Sequence, residues 1–323
     1  MLYGSPVARA LDSWWASHAG RHDDPAWQAF LEDEANLLRT KRDELAREHS
    51  NAGPDGRKRF GMSKAAGCTR AATLKLLGHE EAPFSGSTLA TFHIGHLLEC
   101  SAIATLHAAG YQTSGTQEVV TLDPFMASAS DDVIVSHYDG VPPVPVPCLL
   151  SVKTAGYKMS GRRGAKWVRQ GFAALPFEGV RKEQPSWWAQ AQAEMHGTGI
   201  THTLVLVKAK DIVKVFENDP YLGPEGNGSL TFYTELIEYD PHFAGHELLP
   251  VWGQAWSDAQ DGRAGQPMFL RGSDSKYIRL PAIADTANGW GGPNKEATGT
   301  FNPCNGCGMA GPCKDENAKG FRR

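Results

Sequence analysis

No stretch of this sequence approaches the about 20 consecutive apolar residues that a membrane-spanning helix needs, so a membrane protein is not expected. The first residues, MLYGSPVARALDSWW, have no basic start, no apolar run and no small-residue cleavage site. They do not read as a secretory signal, and a cytoplasmic address is the expectation that follows. Cysteine is scarce, with 6 in 323 residues, too few for a disulfide scaffold. Charge of one sign is not in excess either. The net charge of −4 neither favours nor excludes nucleic acid, because phosphate binding depends on local charge. There is no internal repeat, which removes solenoids and propellers. What remains, 41% apolar and 21% charged, suits an ordinary folded chain of one large domain or two small ones.

Apolar spacing predicts helices over residues 6–18 and 24–48, the second burying Trp27, Phe30, Leu31, Leu38 and Leu45. Residues 49–59 (HSNAGPDGRKR) read as a polar Gly/Pro loop. A further helix is expected over 87–108, with Leu89, Phe92, Leu98, Ile103 and Leu106 on its apolar side. The period then changes to strands at 117–122, 125–136 and 148–153. Pro185 suits the start of a helix at 186–197, and THTLVLV at 201–207 returns to strand. Later strands are expected at 212–217 and 229–239, with a closing helix at 240–260. The tail at 284–313 is rich in Gly, Asn and Pro. This order implies an α/β core, a mixed central sheet covered by helices.

Three groups of chemically capable residues fall within that core. The 87–108 helix carries Gly95-His96-Leu97-Leu98-Glu99, the second strand Asp131-Asp132, and the third Ser151-Val152-Lys153. Side chains two apart on a strand share a face, so Ser151 and Lys153 point the same way, toward whatever Asp131 faces. Mg²⁺ is commonly held by one or two carboxylates, with water and substrate phosphate completing its shell. A lysine beside such an ion can orient the attacking water or offset charge building on phosphorus.

In these residues the chain resembles the PD-(D/E)XK nuclease superfamily, in its RecB-like branch. It is similar there to phage YqaJ-type exonucleases, the AddB nuclease domain and CRISPR-associated iron–sulfur exonucleases. The resemblance rests on GxxxE in the helix, the strand aspartate, the third-strand xxK and the following helix PSWWAQAQAEMHGTG with Gln190, and it covers roughly residues 61–313. It implies a restriction-endonuclease-like core at 61–283, a helical N-terminal extension at 1–60 and a cysteine-rich tail at 284–323. It further implies a DNA exonuclease using Mg²⁺ or Mn²⁺. Asp131 would ligate the metal, Glu99 would complete its shell, Lys153 would serve the water, and Gln190 would contact the lysine or DNA. His96 and Asp132 are secondary candidate ligands. The natural setting would be DNA recombination or repair in a bacterium or phage-infected host, with a recombination or helicase protein as a possible partner.

The family pattern has an acid where this chain has Ser151. A hydroxyl is a weak Mg²⁺ ligand and brings no negative charge. Three explanations stand open: an engineered substitution, a rearranged site in which Asp132 or Glu99 supplies the oxygen, or a degenerate site on a DNA-binding or assembly protein without catalysis.

The C-terminal run FNPCNGCGMAGPC places Cys304, Cys307 and Cys313 at C-x2-C-x5-C spacing, and Cys68 is the best candidate for a fourth ligand. Four thiolates accept Zn²⁺ or a [4Fe–4S] cluster equally well. The resemblance implies the [4Fe–4S] cluster, since RecB-like iron–sulfur nucleases place one cysteine before the core and three after it. Cys100 and Cys148 read as core residues. Between residues 156 and 183, seven Lys or Arg face two Glu. Lys158, Arg162, Arg163, Lys166, Arg169, Arg181 and Lys182 alternate there with Tyr157, Trp167 and Phe172. A loop of this composition beside the site could follow a phosphate backbone and stack on bases. Its other reading is a solvated surface loop. His196 and His202 read as ordinary polar residues.

Overall fold

The fold is taken from a computed structural model that describes residues 5–45, 58–114, 119–122, 124–129, 132–160, 168–210, 231–266, 268–271, 275–279, 309 and 313. Helix α1 (Pro6–His18) begins where Ser5 Oγ accepts from Ala8 N at 3.2 Å and Pro6 supplies a preset first turn. Helix α2 (Pro25–Leu45) follows after a tight reversal, where His18 Nδ1 meets Asp24 Oδ2 at 2.6 Å. Trp14, Trp15, Trp27 and Phe30 knit the two helices together, Trp27 stacking on Phe30 at 4.9 Å. Phe30 is buried as expected, whereas Leu31 is exposed, because only a narrow stripe of α2 is covered.

The core elements are β1 (Phe60–Gly61), α3 (Thr69–Leu76), α4 (Gly86–Ala108), β2 (Tyr111–Thr113), β3 (Val119–Leu122), β4 (Met126–Ala129), β5 (Asp132–His137) and β6 (Cys148–Ala155). Then come β7 (Tyr157–Ser160), β8 (Val168–Gly171), α5 (Leu175–Glu183), α6 (Pro185–Thr198), β9 (His202–Ala209) and β10 (Phe232–Glu238). The short α7 (Pro241–Phe243) runs through a wide turn at Ala244–Leu248 into α8 (Leu249–Gln260), and β11 (Met268–Arg271) pairs with β12 (Lys276–Arg279).

The central sheet has the order β10-β9-β6-β5-β2. Its β6–β9 pair is parallel and its other pairs are antiparallel, so the expected mixed sheet is present. Strand β9 is buried on both faces from Thr203 to Ala209, with Leu204–Val207 a continuous apolar run, whereas β6 is fully buried only from Cys148 to Ser151 and at Ala155. On one face Leu150, Leu204, Leu206 and Ile134 pack with Ile103 and Leu106 of α4 and with Val7 and Leu11 of α1. On the other, Leu149, Val205 and Val207 pack with Trp188, Ala189 and Ala193 of α6 and Trp252 of α8. Helix α1 therefore lies directly on the sheet, against β10, and α2 packs on α4.

The structure corrects several expectations. The strand expected at 125–136 is two strands in two sheets: β4 sits between β1 and β3, and β5 joins the central sheet. In α4, Ile103 and Leu106 are buried, but Leu89 and Phe92 are 53% and 46% exposed. The helix packs on β2, β6 and β9 through its C-terminal half, and its first turns extend past them. By length and hydropathy α4 is sufficient to cross a membrane, contrary to the expectation for this chain, although the residues from Cys100 to Leu106 are buried within the protein. The basic segment is not one loop: it forms the β7–β8 hairpin and then α5. The expected closing helix is present over Pro241–Gln260, with one wider π-helical turn at Ala244–Leu248. The strand expected at 212–217 lies outside the described residues, as does the tail at 284–323 apart from Met309 and Cys313.

Candidate active site

Lys153 lies on β6, half-buried, and its Nζ donates to Gln190 Oε1 at 3.3 Å. Gln190 Nε2 in turn donates to Glu194 Oε1 at 2.8 Å. The two α6 residues are one turn apart and so share a helix face, and Glu194 is 1% exposed. Helix α6 is set firmly for this task. Pro185 begins it and Gly199 ends it in the left-handed conformation at φ 73°. At Gly197 it comes so close to β3 that a Cβ would lie 2.9 Å from the Thr121 carbonyl oxygen. Ser151, two residues before Lys153 on the same face, is 1% exposed. Asp132 pairs with Leu150 across β5 and β6, which gives it the face of Leu150 and Val152 and not that of Ser151 and Lys153. Asp131 lies outside the described residues.

Glu99 belongs to a second cluster. Helix α4 meets β6 at Thr154, 3.7 Å from a Cβ placed on Gly95, on the opposite side of the strand from Lys153. Lys41 of α2 donates to Glu99 Oε1 at 3.0 Å, and His96 Nδ1 lies 3.5 Å from Oε2. Burial pushes the Glu99 carboxyl up, but the His96 hydrogen bond and the Lys41 charge outweigh it and hold the group below the ordinary glutamate value. The residues that sequence reasoning joined thus fall into two groups: Lys153 with Gln190, and Glu99 with His96. Among the described residues no group of three or more His, Cys, Asp or Glu is gathered as a metal site.

Cys68 caps the N-terminus of α3 and is half-buried, as is Cys313, while Cys304 and Cys307 lie outside the described residues. The chain returns to α3 at this point from its C-terminal side. Thr69 Oγ1 donates to the Gln266 carbonyl at 2.6 Å and accepts from Met268 N at 2.9 Å, and Arg70 donates to the Gly265 carbonyl at 3.3 Å. A cavity of about 550 Å³ between α3 and α8, lined by Thr69, Val251, Ala255, Asp258, Arg263 and Gln266, holds none of the candidate catalytic residues. Cys100 and Cys148 are buried, and burial pushes the Cys148 thiol up to about 11, as befits core residues.

Of the expected DNA contacts, Lys158 is on β7 and Arg169 on β8, in neighbouring register, while Arg162, Arg163 and Lys166 lie outside the described residues. Other members of the basic segment serve the fold. The Arg181 guanidinium sits 4.4 Å from the Trp188 ring centroid and donates to Ser275 Oγ at 2.7 Å, and Lys182 pairs with Glu178. Phe172 is 1% exposed and is not available to stack on bases. His196 meets the Tyr239 hydroxyl at 2.6 Å and His202 the Thr201 hydroxyl at 2.9 Å.

Two participants escaped sequence reasoning. Glu194 could have been found as the i+4 neighbour of Gln190, whereas nothing in the sequence around Lys41 points to Glu99.

No known protein family matches the sequence, and no curated protein is similar to it. Three chains of solved structure match, among them an alkaline exonuclease from Laribacter hongkongensis at 13% identity and a TM-score of 0.37. That match covers 63% of this chain and 89% of the exonuclease.

Proposed function

We propose that this chain is a metal-dependent DNA exonuclease that hydrolyses phosphodiester bonds in bacterial or phage DNA recombination or repair. The observation that carries the reading is the chain of hydrogen bonds from Lys153 through Gln190 to Glu194. An ammonium has three donors, and an amide acceptor fixes its direction through one without cancelling its charge. A lysine held in this way can meet a water or a phosphate oxygen with little reorganisation.

The chemistry of Glu99 suits Mg²⁺ or Mn²⁺: it is a hard oxygen donor held in its ionised form, with the His96 imidazole beside it. Such an ion would polarise a phosphoryl oxygen and lower the pKa of bound water. Glu99 would hold it, with Asp131 as the expected second carboxylate and His96 or Asp132 as supplements. Cys68, Cys304, Cys307 and Cys313 would hold a [4Fe–4S] cluster, or Zn²⁺ in its place, as a fastening for the tail. The pinning of residues 265–268 onto Thr69 and Arg70, next to Cys68, favours a fastening there. Broad visible absorbance of the purified protein would mark the iron–sulfur form, and a colourless protein the zinc form.

A second reading, a DNA-binding or assembly protein without catalysis, is favoured by Ser151. At 1% exposure that hydroxyl stands in the family's acid position without an acid's charge. End-labelled linear DNA and closed circular DNA, incubated with Mn²⁺ and either the chain or its Ser151→Glu variant, decide between the two. Cleavage of linear DNA alone supports the exonuclease, and cutting of circles removes the exonuclease assignment. DNA binding with no cleavage by either protein supports the second reading.

A further inference from the structure

Lys41 and Glu99 are 58 residues apart in sequence, yet the Lys41 ammonium rests on Glu99 Oε1 at 3.0 Å. The two side chains are only 16% and 25% exposed. Bulk water and salt screen such a pair much less than an exposed one. The other oxygen, Oε2, faces His96, so both sides of the carboxylate are engaged. An ammonium and a divalent cation seek the same electron pairs on a carboxylate, and they cannot share one oxygen at bonding distance without strong mutual repulsion. Helix α2 is held in place independently of this contact: Asp33 Oδ2 meets His107 Nδ1 at 2.8 Å, and His107 Nε2 meets the Thr113 hydroxyl at 2.9 Å. Lys41 is thus delivered to Glu99 by an element already fastened to the core.

We propose that Lys41 is the resident counter-ion of Glu99, which a divalent cation must displace, so that the N-terminal helix α2 sets the metal affinity of the site. The inference rests on the reading of Glu99 as a metal ligand. Displacement is a matter of rotation alone, since the four-carbon lysine stem lets the ammonium leave while α2 stays in place. Pairing with Lys41 also spares the half-buried carboxylate the cost of standing uncompensated when no metal is bound.

The test is Mn²⁺ binding to the full chain, followed through the electron paramagnetic resonance of free Mn²⁺, with no nuclease assay required. Lys41→Met should tighten binding by about three- to thirty-fold, the range expected for removing a partly covered charged competitor. Lys41→Arg should stay near the parent value. Glu99→Gln should weaken binding, and adding Lys41→Met to it should change nothing further. Unchanged or weaker binding in Lys41→Met, with Glu99→Gln still impaired, overturns the counter-ion role and leaves Glu99 as a ligand. Parent-like binding by Glu99→Gln overturns both. Thermal melting with and without Mn²⁺ provides a second readout, in which the ion should raise the melting temperature of Lys41→Met more than that of the parent.

Discussion

A candidate functional group lies on each side of β6, Lys153 of the strand itself and Glu99 of α4, and the two are held by opposite means. Lys153 is steered by a neutral amide from α6, which follows β6 in the chain after β7, β8 and α5. Glu99 is matched by a full charge from α2, an element far away in the chain. The first arrangement directs a charge and preserves it, whereas the second cancels it. One side of the strand thus keeps a cation ready, and the other keeps an anion covered.

The largest expected effect comes from removing the steered charge. Lys153→Ala should lower the rate of DNA cleavage by about 100-fold or more while leaving the far-ultraviolet circular dichroism unchanged. An unaltered rate would take the β6–α6 unit out of catalysis. Next comes the bed on which that unit lies. Gly197→Ala forces a methyl against the Thr121 carbonyl and should cost about 1–3 kcal/mol of stability, measurable by denaturant unfolding. Gln190→Met should cost about 1–2 kcal/mol in stability, since it strips a hydrogen bond from Lys153 and another from Glu194. Its Mn²⁺ affinity should stay at the parent value, and a large change there would merge the two clusters that the fold separates.

The pH dependence of stability distinguishes the α4 face in another way. Lys208 is buried beneath α4, donates to Ser101 Oγ at 2.6 Å, and lies 5.0 Å from the Trp15 ring and 5.5 Å from the Phe232 ring. Desolvation lowers its pKa from 10.5 to about 8, against a smaller opposing pull from Glu34. The unfolded chain therefore holds more protons between pH 8 and 10.5, and stability should rise with pH across that window. Below it the penalty is constant. Equilibrium unfolding at several pH values should show this rise in the parent and lose it in Lys208→Met. The smallest effect is expected at Asp33, whose contact with His107 is about one-third exposed. Asp33→Asn should cost less than about 1 kcal/mol in thermal melting, yet it tests how firmly α2 presents Lys41.

The two faces also differed in how far they could be read from sequence. The extents of β6, α6 and β9 were legible because CLL and LVLV mark the two strands and Pro185 and Gly199 bracket the helix. Lys153 and Gln190 could be joined only through the family resemblance, because β7, β8 and α5 separate their elements in the chain. The α4 side was harder. Helical spacing shows which side of α4 is apolar, but it says nothing of where the body beneath it stops, so Leu89 and Phe92 were wrongly placed inside. Lys41 and Lys208 carry no local signal in the sequence, because what surrounds them comes from remote parts of the chain. The assignment of β4 and β5 to different sheets depends on their partners, β1 and β3 for one and β2 and β6 for the other, which are remote in the chain and leave no local mark.

The Thr69 clasp has a bearing on how the chain comes into being. Its hydroxyl binds residues 197 and 199 positions later, so it cannot form until most of the polypeptide has left the ribosome. Through that whole interval α3 and the neighbouring Cys68 must wait without their eventual neighbours, shielded by whatever the cell provides. Loss of residues 265–268 should therefore be felt first at Thr69 and Arg70, which they hold.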